Sequence, residues 1–144
     1  MFDDTIDGRL SQWAKHRSDI ETSISPFDDV WNFWKLAPYV QYNKLVDHYY
    51  QKGWPSPWEI IVHNKYDDFT KAVMIGTTLK LTNRFNNSII KIETYIDSDK
   101  KSVYNVVNVN DTCVINYNDN GPVLLTDIPA NFYLENSIEL KKLN

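Results

Sequence analysis

The run over 66–81, YDDFTKAVMIGTTLKL, restricts the fold more than any other part of this chain. Phe69, Ala72, Val73, Gly76 and Leu79 recur along one helical face, and Met74, Ile75 and Leu81 widen it. A helix apolar around so much of its circumference has to be wrapped by other elements, so the spacing predicts a central helix over 66–81. The wrapping material is legible after Asn87, where the period changes to two. IIKIETYI, VYNVVNV and CVINYN alternate as strands do, with turns at 97–101, 110–112 and 118–122. Helices first and an antiparallel sheet afterwards make an α+β domain, with N-terminal helices and a central helix packed on the sheet.

The segments before the central helix add smaller elements. Over 4–23, Ile6, Leu10, Trp13 and Ile20 form a narrow apolar stripe at helical spacing. Such a helix either packs on its own domain or docks a partner, so residues 1–24 read as a packing or docking arm and 25–144 as the domain proper. Trp13 is then a candidate binding residue. Ser25-Pro26 opens a second helix, with Ser25 as N-cap and Asp28 and Asp29 at its positive end. Val30, Phe33, Trp34 and Ala37 make its buried face, and Pro38 ends it. VQYNKLVDHYYQKGW reads as an extended stretch with an irregular loop. Its Tyr49 and Tyr50, with His48 and Trp54, give an aromatic density that often marks interfaces. Gly53, Pro55 and Pro57 set a turn, and 58–62 a short helical turn that carries Trp58. The tail over 128–143 reads as a short final helix or an irregular cover.

The bulk numbers narrow the partners. A chain of 144 residues that is 42% hydrophobic and 14% aromatic can build one core without disulfides or metals. A net charge of −4 argues against a nucleic-acid binder, and no window approaches the roughly 20 apolar residues of a membrane span. The single cysteine, Cys113, excludes an internal disulfide framework and reads as a small buried hydrophobe within a strand. The acidic start lacks the pattern of a signal peptide, so the expectation is a soluble protein kept in the cytoplasm. Glu59, His63, Asp67 and Asp68 lie close together but match no metal signature. Acids at a helix start explain the aspartate pair, and no metal or other cofactor is expected. His16 is expected to face solvent.

The stretch over 54–70 carries a resemblance. Trp54, then Pro57-Trp58-Glu59, then Asn64-Lys65-Tyr66-Asp67-Asp68-Phe69-Thr70 and Lys71-Ala72 resemble the bacterial transglutaminase-like cysteine proteinases. In that family a tryptophan and a Pro-x-Glu segment precede a Gly-Asp-Cys-Glu-Asp-Tyr-Ala signature that opens a helix. Strands bearing a histidine and then an aspartate follow. The strand over 104–109 resembles the one that opens with histidine, and Cys113-Val114-Ile115-Asn116 resembles Trp-Val-Leu-Asp. The resemblance covers roughly 39–121 and implies a transglutaminase-like fold.

It also implies an emptied site. Tyr66 stands at the nucleophile position, Tyr104 or a strand neighbour at the histidine, Asn116 at the aspartate, and Asn64 at the opening glycine. A thiol works as a thiolate, whereas a phenol ionises near pH ~10 and asparagine carries no charge to support an imidazolium. Loss of all three members leaves only binding. The expected function is therefore a pseudoenzyme: a structural or protein-interaction protein whose partners are other protein subunits. The lysine- and asparagine-rich style resembles small proteins of tailed bacteriophages, which would make it a virion component. Two alternatives stay open. One is an active cysteine hydrolase built on Cys113 with His48 or His63. The other is a peptide-binding module that uses the emptied cleft.

Overall fold

Thr5 caps the first helix, α1 (Ile6–Ile20), its hydroxyl accepting from the Gly8 N–H. Of the two expectations for this helix, the structure has the packing one. Trp13 and Ile20 are fully buried in the same cluster as the rest of the core. Arg9 adds a polar clamp by donating to the Ile61 and Val62 carbonyls at 3.1 and 3.0 Å. These are among the last carbonyls of a later helix, which need donors from outside it. Trp13 therefore holds α1 in place and presents nothing to a partner. His16 is the second correction on this helix. Its ring stacks on Phe33 at 3.9 Å and its Nε2 is shut away without a hydrogen-bond partner, so the residue is half-buried rather than turned out to solvent.

Helix α2 (Pro26–Trp34) starts where Pro26 predicts but stops three residues short of Ala37. Ser25 makes no side-chain cap; instead its N–H donates to the Ser23 hydroxyl. The chain then runs through an irregular stretch to α3 (Pro57–His63), which opens with a full capping box between Ser56 and Glu59. Asn64 ends it in the left-handed conformation, at φ 56°. The central helix, α4 (Asp68–Lys80), begins two residues later than its apolar run suggests, because Asp67 is the N-cap. Every residue from Phe69 to Lys80 except Lys71 is buried.

Five strands follow: β1 (Ile90–Asp97), β2 (Val103–Val109), β3 (Cys113–Ile115), β4 (Val123–Leu124) and β5 (Phe132–Glu139). All neighbours are antiparallel, in the order β4-β3-β2-β1-β5. The computed structural model describes residues 1–142, and it is an α+β fold. The tail is thus an edge strand rather than a helix or an irregular cover. A register shift at Thr94/Tyr95 makes Glu135 an extra residue in β5, which breaks the period-two signal that would have announced the strand.

Helix α4 lies on one face of the sheet. A Cβ on Gly76 would come within 2.8 Å of Leu140, 3.1 Å of Ile92 and 3.3 Å of Ile90, so a larger residue here would have to push those side-chain ends aside. On the other side α1 and α2 share one anchor. Trp13 Nε1 and Trp34 Nε1 both donate to Thr78 Oγ1, at 3.0 and 3.1 Å, while that hydroxyl donates to the Met74 carbonyl. Among the described residues no helix is long and apolar enough to cross a membrane.

Candidate functional site

The resemblance directs attention first to the head of α4. Asp67 caps it twice over, its Oδ1 accepting from the Thr70 N–H and hydroxyl at 2.7 and 2.6 Å. Its Oδ2 accepts from the Asn43 N–H at 2.9 Å, and Asn43 donates onward to the Lys65 carbonyl. This knot ties the irregular stretch to the helix. Asn116 closes the corner from the sheet side, donating to the Asn105 carbonyl at 2.8 Å and more weakly to the Asp68 carbonyl at 3.4 Å. Partial burial raises the Asp68 carboxyl above its usual range, with Lys71 at 3.8 Å and Asn116 opposing the shift.

The three positions that the resemblance assigns to a triad do not meet. Tyr66 precedes the N-cap and is walled in, 1% exposed, with its ring against Phe2 and Trp34 at 5.7 and 5.4 Å. Its backbone bridges Pro38 and Val40, and its hydroxyl has no partner. Burial pushes that phenol further above its ordinary value. Tyr104 lies on the other side of the sheet. Its neighbour Asn105 faces α4, pairing across to Thr94 in line with Ile92 and Ile90, so strand alternation turns Tyr104 away. There it packs on Tyr117 and Phe132. Of the two sheet-side positions only Asn116 bonds to the helix head, and its second amide bond goes to the carbonyl of Asn105, the strand neighbour of Tyr104.

The alternative nucleophile fares similarly. Burial, then the Asp28 charge, lifts the Cys113 thiol to about 11, against thiolate formation near neutrality. His48 stacks on Phe69 at 3.9 Å, and His63 ends α3. Among the described residues neither makes a hydrogen bond to Cys113.

An open site lies instead along the flank of α4. A cavity of about 480 Å³ is bounded by the 54–58 turn, α3, α4 and the end of β5. Its walls are mostly apolar: Trp54, Trp58, Ile60, Val73, Met74 and Leu140 carry them. The turn is rigid for local reasons. Pro55 and Pro57 fix two φ angles, and the Ser56–Glu59 box holds the helix start. Trp54 is pinned by donating to the Asp47 carbonyl at 2.6 Å and by its edge against Phe69. Trp58 leans on Trp13 at 5.8 Å and is 44% exposed. Two of the sequence candidates thus line one cavity.

Tyr49 and Tyr50 do not line it. Both are exposed on the loop before it, and Tyr49 donates to Glu135 of β5 at 3.1 Å. A smaller groove of about 370 Å³ runs there between 48–51 and β5, and Gln51 lines both this groove and the cavity. Sequence reasoning missed two lysines of the cavity wall, Lys80 and Lys141. The one signal for Lys80 was a charge inside an otherwise apolar helical run, which a helix C-terminus explains equally well. Compared with models of known families and with curated proteins, the chain matches none.

Proposed function

We propose that this chain is a non-catalytic protein-interaction module, one subunit of a larger assembly, which holds a partner through the cavity beneath Trp54 and Trp58. One observation carries the reading. The open apolar space is walled by a pinned Trp54 and a half-exposed Trp58, with no hydrogen-bonded nucleophile–base pair among its described lining residues, while the would-be triad positions are spent elsewhere. Rigid aromatic anchors around a desolvated pocket are what a binding hot spot needs. Read with the resemblance, the chain is a transglutaminase-like scaffold emptied of its triad and kept for docking, in a phage particle or in a host cytoplasm.

The test places a photo-reactive benzophenone side chain at position 58, and separately at exposed position 124 on the far edge of the sheet, in the full chain within its source cells. A partner cross-linked from 58 and not from 124 is the expected result. Equal labelling from both positions removes the cavity from the reading. Peptide or amide cleavage by the pure protein, lost in Asn116→Ala, removes the non-catalytic part.

A further inference from the structure

Among the residues that bound the cavity there are two lysines and no aspartate or glutamate, in a chain whose net charge is −4. Lys80 is the more telling. It is 7% exposed and takes part in no salt bridge among the described residues. Of its three donor positions one is used, on the Ser88 carbonyl at 2.6 Å. A buried ammonium normally has a counter-charge, because one neutral carbonyl does not replace its hydration. Lys141, exposed, adds a second cation to the same wall.

The shape of the site bears on the occupant. Through Gln51 the cavity adjoins the groove beside β5, which is the last strand of the sheet. The outer edge of such a strand offers unpaired backbone groups to an extended chain.

We infer that the ligand of this site is an extended protein segment whose large apolar side chain fills the cavity beside an aspartate or glutamate directed at Lys80 and Lys141. This rests on the docking reading above and adds the chemistry of the partner. The segment lies along Gln51, with its acid in the cavity.

A random peptide library displayed on yeast, selected against the full-length protein at low salt, tests it. Wild type, Trp58→Ala, Lys141→Gln and Lys80→Met are compared after circular dichroism shows each to be folded. Enriched peptides should pair a large apolar residue with Asp or Glu and lose binding to Trp58→Ala. Their affinity should fall about threefold with Lys141→Gln, an exposed charge, and about tenfold or more with Lys80→Met. Replacing the peptide carboxylate by its amide should reproduce the Lys80→Met loss and add nothing to it. Trp58-dependent peptides without an acid, or with affinities indifferent to both lysines, overturn the inference and leave the docking reading standing. If no enriched peptide depends on Trp58, the docking reading falls and the inference falls with it.

Discussion

The head and the flank of α4 are built from neighbouring residues and have opposite characters. At the head, polar groups converge and nearly all are consumed: Asp67 accepts three hydrogen bonds, and Asn43 and Asn116 stitch loop and sheet to the helix. Along the flank, apolar side chains leave open space, and a buried lysine keeps donor capacity in reserve. Residue type alone marks the head as the reactive end, with its aspartate pair and its helix start. The geometry reverses this. A group already fully bonded within the fold has nothing left for a ligand, whereas unspent capacity beside an open cavity does.

The comparison can be broken most easily at Asp67. Asp67→Ala removes an N-cap and strands the buried Thr70 and Asn43 donors, which should lower the unfolding free energy by about 4 kcal/mol in urea titrations. A change under about 1 kcal/mol would mean the head is not the tie it looks like. Thr78→Val keeps the shape beneath the flank but leaves the Trp13 and Trp34 indole N–H groups without an acceptor, for about 3 kcal/mol.

Acid sharpens the contrast at a third place, the seam between α1 and α2. His16 is lowered from 6.5 to about 4, chiefly by burial, with Asp19 and Asp29 opposing. The folded state therefore binds fewer protons than the unfolded one between those values. The stabilisation is intact above pH ~6.5 and is lost as pH falls toward ~4, by about 1–2 kcal/mol once partial solvent contact is allowed for. The raised Asp68 carboxyl has the opposite sign, so the difference between wild type and His16→Gln isolates the histidine. Parallel stability–pH curves for the two proteins would refute the assignment.

The smaller effects separate structural from docking roles. Tyr66→Phe deletes a buried hydroxyl that has no partner, and should be neutral or stabilising by about 1 kcal/mol, with binding unchanged. A loss of activity or affinity in that variant would restore Tyr66 as a site residue. Trp58→Ala, at a half-exposed position, should cost about 1 kcal/mol of stability through its edge contact with Trp13 while abolishing peptide binding. Near-native affinity would move the docking surface elsewhere.

Much of the fold is legible in particular residues. The apolar wrap of 69–81, the alternation after Asn87, and the helical turn over 58–62 are local signals, and each produced an element within a few residues of its expected bounds. The tail was not legible, because a bulge and a half-exposed edge erase alternation in FYLENSIE. Of the candidate site, Trp54 and Trp58 were legible from the proline-bracketed turn. Lys80 and Leu140 were not, since they join the cavity only after β5 returns to the start of β1.

By itself the sequence determined what depends on neighbours within a turn or a strand repeat: the α+β class, the strands that alternate after Asn87, and the need for a wrapped central helix. Only the tertiary structure decided which groups meet, as when Trp13 and Trp34 share Thr78 across 65 and 44 residues. It also decided that Tyr104 faces away from α4 and that Tyr66 is sealed. The physical reason is that burial and hydrogen-bond satisfaction belong to pairs brought together by packing, and one step along a strand reverses the face that a side chain shows.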